Sequence, residues 1–278
     1  MKDVDLPYAE QLQYAVERSG FFKERFGANS RAFTAPEDLR REELRWLCVR
    51  PEEVSRIVTL STSGSSGDSK RVYFTEHDLE LTVKFFVRGM KPIVAAGERM
   101  ITLFPNTTPD SVGDLLSRAV RKNGVDVVDD PLIADCAVGS PGQILALPQT
   151  RLKTVLLSAE YVSETARSAI REKFGCKIFE HYGLTESGFG FAVSHKPDVD
   201  YYEVRSEDIY VEIIDPATLE NLPDGESGEV VFSTLNRQAM PFIRYRTGDI
   251  AAITGKSDDG RTLLSRVGDR AIVKRARI

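Results

Sequence analysis

Apolar residues in the first fifty positions recur at helical spacing. Tyr8, Leu12, Ala15 and Val16 share one face, and Phe21, Phe22 and Phe26 extend it. Ala35-Pro36-Glu37-Asp38 predicts a helix start, with Leu39, Leu44 and Leu47 on one side. From Ile57 the pattern changes: Ile57-Val58-Thr59-Leu60 predicts a short buried strand that runs straight into small polar residues. Strand and helix signals then alternate. Thr75 caps a helix through Val87, Met100 to Phe104 is strand-like, and Pro109 to Val120 is a helix with proline in its first turn. Val125 to Val128 and Leu152 to Leu157 are further strands, followed by a helix from Ser163 to Phe174 and a strand at Lys177-Ile178-Phe179. Such alternation implies crossover connections and a largely parallel sheet.

After about residue 198 the helical pattern stops. Ile209 to Ile214, Gly228 to Ser233, Ile250 to Thr254 and Thr262 to Val267 predict short strands, with turns at Leu222-Pro223-Asp224-Gly225 and Asp258-Asp259-Gly260. The expected fold class is α/β, with a mixed, mostly parallel sheet and helices plus a C-terminal β-rich subdomain. The expected division is a body over 1–198 and the β-rich subdomain over 199–278.

Composition narrows the function. The 278 residues are 41% hydrophobic and 28% charged, ordinary for a globular protein with a real core. A formal charge of -5 argues against a nucleic-acid partner, so an anionic ligand must be met by local basic groups or backbone N–H donors. The cysteines, Cys48, Cys136 and Cys176, form no C-x-x-C pair, and the histidines add no metal-ligand spacing. Burial as small apolar residues is the reading for them. The N-terminal residues lack the apolar segment of a signal peptide, and no run approaches the ~18 apolar residues of a membrane span. A cytoplasmic protein without membrane contact is expected.

Four stretches carry candidate chemistry. In Ser61 to Lys70 every residue through Gly67 is Ser, Thr or Gly, so backbone N–H groups and hydroxyls can approach a phosphate, with Lys70 as a terminal cation. The spacing is not that of G-x-x-x-x-G-K-[ST], and a flexible surface loop has the same composition. Glu180-His181-Tyr182-Gly183-Leu184-Thr185-Glu186 offers a ring to stack on a heterocycle, a hydroxyl and a carboxylate suited to Mg²⁺; an exposed turn is the alternative. Ile243 to Asp249 brings two arginines for phosphate or carboxylate recognition and Asp249 for ribose hydroxyls, against an interstrand ion pair. Ser265-Arg266-Val267-Gly268-Asp269-Arg270 again joins Arg and Asp around glycine.

In this order the four stretches resemble the adenylate-forming superfamily of acyl- and aryl-CoA ligases, luciferases and peptide-synthetase adenylation domains, nearest its phenylacetate-CoA ligase and coenzyme F390 synthetase-like branch. Residues 61–70 resemble the family's phosphate loop, and Leu157-Ser158-Ala159-Glu160 resembles the strand end usually written G-G-E. Tyr182 to Glu186 resembles Y-G-x-T-E, and Tyr245 to Asp249 matches Y-R-T-G-D. The likeness covers roughly residues 55–278.

The resemblance implies a nucleotide-binding body whose cofactors are ATP and Mg²⁺, with CoA as an acceptor. Thr62, Ser63, Gly64, Ser65, Ser66 and Gly67 would hold the β- and γ-phosphates, with Lys70 nearby. Tyr182 would lie against adenine, lined by Ala159, Glu160, Glu180, His181 and Gly183. Thr185 would meet the α-phosphate, Glu186 would bind Mg²⁺, and Asp249 would grip the ribose with help from Arg266. Lys70, Thr185, Glu186 and Arg266 are the catalytic candidates. For His181 a structural role stands beside contact with substrate or nucleotide.

Against the family pattern, Ser69 replaces a usual proline, the part before the loop is reduced, and Val273 to Ile278 falls just past the hinge. The expectation is that the mobile C-terminal domain is absent, with the lysine it supplies. Two functions follow: ATP-dependent activation of a carboxylic acid, aryl by family analogy, with transfer to a thiol or carrier protein helped by a partner; or non-catalytic binding of ATP, AMP or an acyl-adenylate. A homodimer covering exposed strand edges is a further expectation.

Overall fold

The first described segment packs three short helices against the rest of the chain: α1 (Leu6–Arg18), α2 (Gly20–Phe26) and α3 (Pro36–Glu42). The structure, a computed structural model, describes residues 6–60 and 70–268. The Phe21 ring stacks on buried Trp46 at 4.6 Å, and Phe22 meets the same indole edge-on at 5.3 Å. Leu39 is buried as expected. Leu44, expected beside it, is 65% exposed, because α3 ends at Glu42 and a 3₁₀ turn rotates the face away.

Next come β1 (Arg56–Leu60) and β2 (Lys70–Phe74), a separate antiparallel pair that brackets residues 61–69. The expected buried strand is corrected here. Along β1 exposed and half-buried positions alternate, and Ile57 is 49% exposed, since one face of this two-stranded ribbon meets solvent. The body follows with α4 (Glu76–Met90), β3 (Arg99–Thr102), α5 (Val112–Lys122), β4 (Asp126–Val127), β5 (Cys136–Gly139), α6 (Pro141–Ala146), β6 (Thr154–Leu157), α7 (Glu164–Phe174) and β7 (Lys177–Tyr182). Thr75 caps α4 through the Asp78 N–H, and Ser163 caps α7 through the Ala166 N–H, as their positions predict. Pro109 does not open α5. Asp110 takes φ 60°, which breaks the helical path, and Ser111 becomes the N-cap.

The remaining strands are β8 (Ala192–Val193), β9 (Tyr201–Val204), β10 (Ile209–Ile214), β11 (Gly228–Thr234), β12 (Tyr245–Ala251), β13 (Ile253–Lys256) and β14 (Thr262–Ser265). The single strand expected at 250–254 is the end of β12 and the start of β13, parted at Ala252, and the two belong to different sheets. Strands β10, β11 and β12 form a three-stranded antiparallel sheet. Nine others form the main sheet, in the order β13-β14-β9-β8-β7-β6-β5-β3-β4.

The main sheet changes character at β7, which runs parallel to β6 and antiparallel to β8. Strands β3 to β7 carry the crossover helices, whereas β8 to β9 and β13 to β14 are connected without helices, and β9 leads to β13 through the three-stranded sheet. Strands on both sides of residue 198 therefore share one hydrogen-bonded sheet. The expected α/β class with a mixed sheet and a β-rich C-terminal part is what the chain forms. All three cysteines are buried and free, as their spacing implies.

Candidate functional site

A cleft of about 320 Å³ opens where β6 and β7 end, walled by β9, β12 and the segment after β14. Carboxyl ends of parallel strands are the usual place for a ligand in such sheets. Ala159, Glu160, Glu180, His181, Tyr182, Gly183, Asp249 and Arg266 all line it, so eight of the residues singled out from sequence meet at one opening.

Strand alternation arranges them. Along β7, Glu180 and Tyr182 fall on one face and His181 on the other. Tyr182 donates its O–H to Asp249 Oδ2 at 2.7 Å, tying the end of β7 to the middle of β12. Its ring lies 6.4 Å from that of Tyr202, near-parallel at 27°. Tyr161 is 59% exposed at the rim. The cleft thus presents an aromatic floor beside a carboxylate, which suits a flat base joined to a diol.

Glu180 is committed to the protein. Its Oε1 accepts from Arg266 Nη2 at 2.9 Å and from Arg167, and its Oε2 accepts from Tyr202 O–H at 3.1 Å. Burial pushes the Glu180 carboxyl up, opposed by the Arg167 charge. Arg266 also donates to the Val162 carbonyl at 3.3 Å, so it fastens the 159–162 segment to β7.

His181 faces a second, largely apolar cavity of about 260 Å³. Phe86, Phe104, Leu116, Val138, Leu156 and Phe189 wall it, and Thr185 lies on its lining. His181 Nδ1 sits 2.7 Å from Ser158 Oγ, while Nε2 is buried without a hydrogen-bond partner. Burial pushes the imidazole down to about 4, so the ring is neutral at pH 7. The two cavities meet at Ala159, His181, Gly183 and Leu184. Gly183 has no room for a side chain: a Cβ there would lie 2.4 Å from both His181 Cε1 and the Phe189 carbonyl oxygen. Ala159 takes φ 71°, a left-handed conformation, at the position where the G-G-E pattern has glycine.

The turn after Gly183 carries Glu186 inward. Glu186 Oε1 accepts from Lys70 Nζ at 2.7 Å and from Tyr245 O–H at 3.0 Å. This joins the strand that leaves the Ser/Gly-rich loop to the Y-G-L-T-E turn and the Y-R-T-G-D strand. Thr62 to Gly67 lie outside the described residues. The two arginines of Ile243 to Asp249 are internal ion pairs, the alternative their sequence left open. Arg244 pairs bidentately with Glu212 at 3.0 Å, and Arg246 pairs with Glu229 at 2.6 Å.

Sequence reasoning passed over Tyr202, Arg167 and the role of Tyr245. Tyr202 sits in a short strand with weak alternation, and Arg167 reads as an exposed helical cation. Only the Y-R-T-G-D match marked Tyr245, and it gave the ring no task.

Residues 106–237 match the family described as AMP-binding enzyme. A phenylacetate-coenzyme A ligase of Aromatoleum evansii is 40% identical over 126 residues, covering 40% of this chain and 29% of that protein. One from Pseudomonas putida is 27% identical over 303 residues, covering 89% of this chain and 68% of that protein. The chain thus spans between 29% and 68% of these relatives' lengths. A solved 2-hydroxyisobutyryl-CoA ligase, in complex with 2-HIB-AMP and CoA, has the same fold. Its TM-score is 0.78 at 18% identity, over 93% of this chain and 66% of that one. Residues 106–237 therefore match the AMP-binding enzyme family, and the chain has phenylacetate-coenzyme A ligases among its homologues and the fold of a solved acyl-CoA ligase.

Proposed function

We propose that the site binds Mg-ATP and activates a carboxylic acid as its acyl-adenylate, for transfer to a thiol such as CoA. The observation that carries this reading is the shared border of the two cavities. An aromatic cleft with a carboxylate for a nucleoside meets an apolar chamber for an acid across Ala159, His181 and Gly183. Adenine lies against Tyr182, edged by Ala159, Glu160 and Gly183, and Asp249 accepts the ribose hydroxyls in place of the Tyr182 O–H. The phosphates run toward Thr185, Glu186 and Lys70, with Thr62 to Gly67 completing their cradle. An acid carboxylate oxygen bonds to the α-phosphorus, the α–β bridging P–O bond breaks, and pyrophosphate leaves with the electron pair. Thr185, Lys70 and Arg266 act by placing donors around the charge that develops.

Among the described residues no group of three or more His, Cys, Asp or Glu could hold a metal ion. Mg²⁺ bound with a nucleotide takes one or two protein carboxylates, with phosphate oxygens and water as its other ligands. Glu186, now held by Lys70 and Tyr245, would be the protein ligand, and the ion would spread the charge of the leaving pyrophosphate.

A second reading is a non-catalytic nucleotide or acyl-adenylate binder. What favours it is that two candidate cations are already paired, Lys70 with Glu186 and Arg266 with Glu180. Calorimetric titration with AMP and Mg-ATP, followed by an acid-dependent pyrophosphate-release assay, separates the two. Saturable binding plus release lost in Asp249→Ala supports activation. Binding with no release for any of a panel of aryl and alkyl acids supports the binder. No binding at all sinks both.

A further inference from the structure

Beneath the turn that carries Thr185 and Glu186 lies a buried guanidinium to which neither the sequence motifs nor the proposed chemistry gives a task. The Arg237 side chain is 5% exposed. Its Nε has no hydrogen-bond partner, and the nearest carboxylate oxygen, Asp78 Oδ2, is 3.8 Å away, beyond hydrogen-bond reach. Asp78 is engaged elsewhere, accepting from the N–H groups of Thr75, Gln238 and Ala239 at 2.7 to 3.0 Å. Arg237 Nη2 donates to the Tyr73 carbonyl at a long 3.4 Å. A guanidinium buried on a long hydrogen bond and a carboxylate 3.8 Å away is expensive, and a well-packed apolar side chain would often be no worse for stability. Its placement calls for another explanation.

The guanidinium has two contacts that matter. Its carbon lies 4.2 Å from the centroid of the Phe74 ring, and Phe74 stacks on Phe189 at 5.4 Å with only 5° between planes. Phe74 ends the strand that begins at Lys70, and Phe189 closes the turn that carries Glu186. Second, Arg237 Nη1 lies against the backbone of Gly188. A Cβ built there would fall 3.1 Å from Nη1 and 3.2 Å from Thr82 Oγ1, which already donates to the Gly188 carbonyl at 2.8 Å. Gly188 takes φ 78°, which favours glycine, and a side chain there would press on both neighbours. Arg237 itself is anchored by Gln11, which bonds its backbone N–H at 2.8 Å and its carbonyl at 3.0 Å. Burial pulls its guanidinium down to about 10, opposed by the Asp78 charge, so it remains charged at pH 7.

We propose that Arg237 is a positioning residue that, through the Phe74–Phe189 stack and the Gly188 backbone, holds Lys70 and Glu186 in register for a nucleotide's phosphate tail. This rests on the functional reading above. It separates from general structural support, because the adenine cleft at Tyr182, Tyr202 and Asp249 is built from other elements.

The test compares affinities for ATP with Mg²⁺ and for adenosine in the wild type, Arg237→Met and Phe74→Leu, by calorimetry, with thermal melts on each. Arg237→Met is expected to weaken ATP about 10-fold and to leave adenosine within about twofold. Phe74→Leu, which keeps the charge and breaks the stack, is expected to lower the ATP-to-adenosine affinity ratio in the same direction, and Arg237→Lys to restore part of it. Equal weakening of both ligands, or no change in either, overturns the proposal while nucleotide binding itself stands. If Arg237→Met does not fold, the Phe74→Leu ratio decides alone. A wild type that binds neither ligand overturns the functional reading instead, and this inference with it.

Discussion

Lys70 and Glu186, separated by 116 positions in sequence, form an ion pair of 2.7 Å with side-chain exposures of only 17% and 6%. Shielding from solvent makes the pair far more consequential than a surface bridge, and removing one partner strands the other in a poorly hydrated place. Lys70→Met is expected to lower the unfolding free energy by about 3 kcal/mol. The double variant Lys70→Met/Glu186→Leu should recover most of that loss. Urea denaturation measures both, and a double variant no more stable than the single one contradicts the ion pair as the source.

The Tyr182–Asp249 hydrogen bond makes a graded prediction for nucleotide affinity. Tyr182→Phe keeps the ring and removes one neutral donor, so AMP affinity should fall no more than about 5-fold. Asp249→Ala removes the acceptor for both ribose hydroxyls, and the loss should approach 100-fold, about 3 kcal/mol. Titration calorimetry at fixed ionic strength reads the difference. Equal losses in the two variants would mean that Asp249 serves only to place Tyr182.

His181 gives stability a pH signature. Its folded-state value, pushed down to about 4 by burial, lies below the ordinary imidazole value of 6.5. Between those limits the unfolded chain binds more protons, so stability rises with pH across the window. The contribution is complete above about pH 6.5 and is lost as pH falls toward about 4, at up to about 1.4 kcal/mol per pH unit. His181→Leu should therefore show a flatter stability profile than the wild type from pH 4 to 6.5. Parallel profiles would place the titrating group elsewhere.

Ala159 occupies φ 71°, where an alanine is strained and a glycine is not. Ala159→Gly should gain about 0.5 kcal/mol, the relief of strain less the extra freedom of glycine in the unfolded chain. A thermal melt checks the sign. A clear fall in melting temperature would show that the Ala159 methyl makes contacts worth more than the strain.

What the sequence made legible follows from how far each signal reaches. Ala159, Tyr182 and Asp249 lie in short motifs that the likeness to adenylate-forming enzymes singled out, so their meeting at one opening could be expected before any coordinates. The partners of those residues could not. Glu180 reads as a candidate ligand group, yet Arg167 from α7 and Arg266 beyond β14 close on it only when the sheet assembles. Strand β5 was missed because Cys136–Gly139 is four residues, buried throughout, with no alternation to betray it. Strand β8, with two residues, has too little length for any period. Arg237 stood in a segment that carries no motif, and its contacts reach back to Gln11 and Phe74.

The change from parallel to antiparallel at β7 also bears on how this site can adapt. Tyr182, Tyr202 and the Glu180 clamp stand on neighbouring or next-neighbouring strands of one continuous hydrogen-bonded surface. Such a bed has no hinge within it, and ligands of different shape cannot be met by tilting one half against the other. Accommodation falls to the margins, the 159–162 corner and the stretch from Arg266 to Gly268, which a single arginine laces to the bed through Glu180 and Val162. Sequence change that retunes the cleft is expected there, at the edge of a floor held by one hydrogen-bonded sheet.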